Sequence, residues 1–123
     1  MDLQSINLLL IGKNIQDEWL LHFNSCLERF AKTALASKSQ ALAQVEINKF
    51  DVIIIDEMIL LADFNFIHKI LEITPSARVL VVSDMTDDWI RTRRAFYHGA
   101  IDYQPKTISS QDLKRIIQDI YNP

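Results

Sequence analysis

Apolar residues in this chain come in short runs, separated by stretches whose apolar positions recur with a helical period. The most pronounced run is Phe50-Asp51-Val52-Ile53-Ile54-Ile55-Asp56. It lacks the alternation of a strand with one wet face and is too short for a helix, so it predicts a parallel strand covered on both sides. Ile6 to Ile11 predicts a first buried strand, stopped by Gly12-Lys13-Asn14, and Thr33 to Ala36 a weaker second one. Arg78 to Ser83 and Ile101 to Gln104 complete a set of five.

Between the strands, Ile15 to Lys32 places Leu20, Phe23, Leu27 and Phe30 on one helical stripe, with Trp19 and Cys26 beside it. Cys26 is read as a small core hydrophobe. Ser39 is expected to cap a helix through about Asn48, turning Ala41, Leu42 and Val45 inward. Asp63 is expected to cap Phe64 to Ile73, a helix stopped at Thr74-Pro75 because the residue before proline leaves helical angles. Asp87 or Asp88 opens a helix to His98, followed by Gly99 as its left-handed terminal residue. Ser109 or Ser110 caps a final helix striped by Leu113, Ile116, Ile117 and Ile120. Strands alternating with helices over short connections imply parallel pairing and right-handed crossovers. The expectation is a single α/β domain over residues 1–123: a flavodoxin-like three-layer sandwich, its five-stranded parallel sheet ordered 2-1-3-4-5.

Composition narrows the function. A formal net charge of −3 argues against non-specific nucleic-acid binding. Apolar runs of about seven residues fall short of the ~20 that span a bilayer, and no signal peptide is evident at the N-terminus. The single cysteine, Cys26, excludes an internal disulfide and fits a cytoplasmic protein. Gly12 and Gly99 are isolated, so there is no glycine-rich phosphate loop. His22, His68 and His98 are scattered over helices and assemble neither a catalytic triad nor a metal-ligand set; His98 reads as a charge at a helix end. No enzyme is expected.

In the expected fold, Gly12, Lys13, Asp56, Ser83 and Lys106 meet at the carboxyl ends of the strands, where open α/β sheets place their ligands. In this order and spacing the chain resembles, over essentially its whole length, the receiver domain of bacterial two-component response regulators. The likeness rests on Phe50 to Asp56, the run into Ser83, Gly99-Ala100-Ile101-Asp102-Tyr103-Gln104-Pro105-Lys106, and Ala41-Leu42 fifteen and fourteen residues before Asp56. It implies that Asp56 accepts a phosphoryl group from a sensor histidine kinase and that the Ser83 hydroxyl binds a phosphoryl oxygen. It further implies that Lys106 pairs with the acceptor and that Tyr103 acts as an aromatic rotamer switch. A carboxylate can form an acyl phosphate, and an ammonium and a hydroxyl can stabilise its charge.

The chain also departs from that pattern. Two acidic residues normally follow the first strand; here the positions are Gly12 and Lys13. Mg²⁺ relies on carboxylates and phosphoryl transfer relies on Mg²⁺, so weak metal binding and impaired phosphorylation are expected. Asp56 is the one carboxylate left for a metal, with Glu57 or Asp84 as conceivable helpers. Asp84 follows Ser83 and would repel an incoming anion. Leu60 and Leu61 replace a proline and a glycine, and Thr107 replaces the proline after Lys106. Asp56 is read as clamped between Lys13 and Lys106; the other placement for Lys13 is solvent.

The favoured reading is an atypical receiver acting through protein contacts. The alternatives are a conventional receiver phosphorylated at Asp56 and, of another class, a flavodoxin-like small-ligand-binding domain. Partners are expected to be a histidine kinase or another signalling protein, without direct nucleic-acid or membrane binding. Trp89, Arg91 and Arg94 are the candidate partner surface, being types enriched at binding hot spots. The resemblance adds homodimerisation through the fourth-helix, fifth-strand and fifth-helix face.

Overall fold

In a computed structural model, residues 6–85 and 88–122 are described. Five strands, β1 (Asn7–Gly12), β2 (Lys32–Ser37), β3 (Val52–Asp56), β4 (Arg78–Ser83) and β5 (Asp102–Pro105), form one sheet ordered β2-β1-β3-β4-β5. Every neighbouring pair is parallel. The connections carry α1 (Glu18–Leu27), α2 (Lys38–Ile47), the single turn α3 (Glu57–Leu60), α4 (Asn65–Ile73), α5 (Trp89–Tyr97) and α6 (Ser110–Tyr121). The flavodoxin-like sandwich expected from the sequence is therefore the observed architecture. Among the described residues no helix is long and apolar enough to cross a membrane.

The pleat sorts the core into two halves, because successive strand residues point to opposite faces. Leu9, Ile11, Ile53, Ile55, Val79 and Val81 pack with Phe66, Ile67 and Ile70 of α4 and Ala95 of α5. Leu8, Leu10, Val52, Ile54, Leu80 and Val82 pack with Leu20, Phe23 and Leu27 of α1 and with Leu113 and Ile117 of α6. All five residues of β3 are buried, as a central parallel strand requires. The same parity, continued past the strand ends, arranges the polar site.

Several boundaries differ from expectation for local reasons. Helix α1 starts at Glu18 rather than Ile15. Asn14 and Asp17 close a turn first, with Asn14 N–H donating to Asp17 Oδ2 at 3.1 Å and Asp17 N–H to Asn14 O at 3.0 Å. It ends at Leu27, freeing Lys32 to enter β2. Cys26 is half-buried and lies outside both core clusters, contrary to the reading of it as a core residue. Ser37 rather than Ser39 precedes α2, its N–H donating to Gln40 Oε1 at 3.1 Å. Asp63 does not cap α4; its carboxylate pairs with Lys38 and Lys69. Ile73, the last residue of α4, is exposed.

Helix α5 is capped as anticipated by Asp88, whose Oδ1 accepts from the N–H groups of Ile90 and Arg91, while Asp87 lies outside the described residues. Gly99 has φ +116°. Ala100 N–H reaches Ala95 O and Gly99 N–H reaches Phe96 O, the paired bonds of a Schellman stop. Ser109 Oγ accepts from Asp112 N–H at the start of α6.

Candidate functional site

Asp56 ends β3 almost fully buried, and each of its oxygens has donors from this chain. Lys106 Nζ lies 2.9 Å from Oδ1, and Met58 N–H donates to the same oxygen at 3.0 Å. The Trp19 indole N–H donates to Oδ2 at 3.2 Å. Lys106 also reaches Asp84 Oδ2 at 3.1 Å, so one ammonium bridges a buried and an exposed carboxylate. Burial pushes that ammonium's pKa down, but its bonds to Asp56 and Asp84 outweigh this and hold it above its ordinary value. The Lys106 ammonium stands 5.7 Å from the centre of the Trp19 ring, which thus covers the ion pair from the α1 side.

Lys13 does not complete the clamp. Its side chain is exposed and makes no ion pair among the described residues, so the second partner of Asp56 is Trp19. The reason lies in the Asn14–Asp17 turn, which bends the chain away from the strand end directly after Gly12. A Cβ at Gly12 would meet Asp17 Oδ2 at 2.9 Å and Asn14 O at 3.2 Å, so glycine suits this close approach. Trp19 enters from the first turn of α1, half-buried with its ring edge-on to Phe23 at 5.2 Å. In the sequence it is merely an aromatic beside the helical stripe.

The donor set does not fit Mg²⁺. Gly12 and Lys13 contribute no carboxylate, the oxygens of Asp56 face an ammonium and an indole, and no group of three His, Cys, Asp or Glu side chains among the described residues could hold a metal ion. Hard divalent cations need several oxygen ligands.

The neighbouring acid, Glu57, is the feature that the sequence did not single out beyond a conceivable metal helper. It is 2% exposed and accepts three side-chain hydrogen bonds. Ser83 Oγ–H donates to Oε1 at 2.7 Å, Tyr103 O–H to Oε2 at 2.5 Å, and Arg91 Nη1 to Oε1 at 3.3 Å. Pleat parity explains the choice of partner. Residues 53 and 55 of β3, 79 and 81 of β4 and Tyr103 of β5 share one core face, and Ser83 and Glu57 continue that face beyond the apolar rows. Asp56 continues the opposite face, toward α1. In this arrangement the Ser83 hydroxyl and the Tyr103 phenol both bind Glu57. Burial and the Glu57 carboxylate push the Tyr103 phenol up to about 12.

Arg91, one of the candidate partner-surface residues, is half-buried and reaches Glu57 Oε1 with its Nη1 at 3.3 Å, with Asp88 also 3.7 Å away. The rest of α5 does form a surface: Trp89, Ile90, Phe96 and Tyr97 are all exposed. Arg93 lies over the Trp89 ring and Arg94 over Phe64. His98 stands at the C-terminal end of α5. Its Nδ1 is 3.0 Å from His68 Nε2, and burial, His68 and Arg94 hold its pKa below the ordinary value.

No family model matches the chain. A stretch of 82 residues, 65% of the chain, is 35% identical to a protein-glutamate methylesterase/protein-glutamine glutaminase of Paramagnetospirillum magneticum, of which it spans only 22%. A response regulator from Thermotoga maritima superposes with a TM-score of 0.87 at 20% identity, covering 97% of this chain and 99% of that one. A response regulator receiver domain protein from Methanospirillum hungatei gives 0.80 at 19%, covering 95% and 94%. A response regulator from Burkholderia pseudomallei, solved with a phosphorylated aspartic acid and a calcium ion, gives 0.76 at 22%, covering 97% and 76%. These likenesses establish the fold, and that fold recurs in receiver domains.

Proposed function

We propose that this chain is a receiver module of two-component signalling whose Asp56 does not run the usual Mg²⁺-dependent phosphorylation, and that it works through protein contacts. The observation that carries the reading is the state of Asp56: both oxygens are engaged by Lys106, Trp19 and Met58 of the same chain. A phosphoryl group forming on Asp56 has to be fitted among these donors, with the Asp84 carboxylate, 3.1 Å from the same ammonium, repelling an anionic phosphodonor. Gly12 and Lys13 supply no metal-borne charge to offset that cost. Signal transmission then rests on surfaces, and α5 offers one, with Trp89 and Arg94 beside Tyr97. Its partner is a cytoplasmic signalling protein, a histidine kinase or another receiver copy among them. The methylesterase and glutaminase activities in the name of the curated relative remain that protein's own, since the match spans 22% of it.

The test is incubation with acetyl phosphate and Mg²⁺, followed by intact-mass measurement at short times. The protein is expected to stay unmodified. A stoichiometric gain of roughly 80 Da, the mass of one phosphoryl group on a carboxylate, that vanishes in Asp56→Asn would establish a conventional receiver instead. That second reading is favoured by the Asp56–Lys106 pair and by the phosphorylated aspartic acid in the Burkholderia structure.

A further inference from the structure

Glu57 belongs to no chemistry assigned above, yet it is the buried acid that accepts from the most side chains among the described residues. Its three side-chain donors come from three different elements: Ser83 from β4, Tyr103 from β5 and Arg91 from α5. The β4–α5 connection is tied into the same knot, because Met85 N–H donates to Ser83 Oγ at 2.9 Å and the Tyr103 phenol lies 3.0 Å from Met85 O. Helix α5 otherwise has a slender attachment, with Ala95 its one fully buried side chain. Charge-assisted hydrogen bonds are about twice as strong as neutral ones, and a buried carboxylate deprived of its donors is costly.

We infer that Glu57 is a built-in anionic latch that holds Ser83, Tyr103 and the first turn of α5 in one arrangement without any modification of Asp56. An anion arriving at Asp56 would have to win Ser83 from a carboxylate that already holds it at 2.7 Å. The Tyr103 ring is kept inside and the exposed side of α5, from Trp89 to Tyr97, is presented constantly. The latch goes beyond the proposed function: that reading concerns Asp56, whereas the latch stands on Glu57 and its donors whether or not Asp56 is ever modified.

Hydrogen exchange of the full chain, read by mass spectrometry, tests it. Glu57→Gln keeps the shape but removes the charge. It is expected to speed exchange of the α5 amides about tenfold, with β1 and β3 unchanged. Should Glu57→Gln not fold, Arg91→Met and Tyr103→Phe each remove one donor from the rim of the network and are expected to loosen α5 in the same direction. Exchange of α5 within about twofold of the parent in all the variants that fold overturns the latch. Acetyl phosphate with Mg²⁺ is expected to leave α5 exchange unaltered in the unsubstituted protein. If mass measurement shows Asp56 modified while α5 exchange is unmoved, the reading of Asp56 fails and the latch stands. Modification that does change α5 exchange overturns the latch.

Discussion

Two lysines could neutralise Asp56, and only Lys106 touches it, so substituting each in turn asks a sharp question. The Lys106–Asp56 contact is 2.9 Å, with side chains 11% and 4% exposed. Removing one partner of a buried pair can cost ~3–5 kcal/mol. Lys106→Met leaves Asp56 with the Trp19 indole and the Met58 N–H as donors, so the expected loss is lower, about 2–3 kcal/mol. Asp56→Asn still accepts from both of those groups and leaves Lys106 with Asp84. The double variant should therefore lose less than the sum of the single ones, with a coupling of about 1–2 kcal/mol. Lys13→Ala is expected to cost ~0–1 kcal/mol, and its coupling to Asp56→Asn to stay within ~0.5 kcal/mol. Urea denaturation of the six proteins of these two cycles measures both couplings. Far-UV circular dichroism is the better probe, because Trp19 fluorescence reports on Asp56 directly. Additivity for Lys106 together with a coupling above ~1 kcal/mol for Lys13 would refute the assignment of partners.

Gly99→Ala is expected to cost about 2–3 kcal/mol, since φ is +116° and the new Cβ would meet Leu71 Cδ1 at 2.8 Å; thermal or urea unfolding reads it. Spectrophotometric titration should show one tyrosine ionising only near pH 12, lowered in Glu57→Gln as the bond to the carboxylate is lost. Because the folded value lies above the ordinary ~10, Tyr103's contribution to stability is complete below pH ~10 and is lost as pH rises through 12. For His98 the folded value lies below the ordinary ~6.5, so its contribution is present above that pH and lost on acidification through the lowered value. Stability should therefore fall more on acidification below pH ~6.5 in the parent than in His98→Gln, and equal slopes would contradict the lowered value of His98.

The order of elements, the strand sequence of the sheet, the cap at Asp88 and the glycine stop at residue 99 were all legible in the chain. Each is written by local rules: apolar residues repeat at 2 or 3.6, and caps and stops sit within a few residues of what they terminate. Asp56 was legible for the same reason, as the carboxylate closing the most apolar run. Its partners were not. Whether Lys13 or Trp19 covers it depends on a turn at Asn14–Asp17 that tilts the start of α1, and a flexible lysine carries no periodic mark of where its ammonium goes. Cys26, one helical position from Leu27, illustrates the limit of reading a helix from its stripe, because a shift of 100° separates core from half-buried. Glu57 is the largest omission. Its charge marks it as a solvent residue until the pleat of three strands and the inward turn of Arg91 deliver three donors to one point. Periodicity determines which residues are buried together, but a buried carboxylate is decided by donors that must all lie within about 3 Å of it, and only the tertiary structure brings groups from β4, β5 and α5 to that distance.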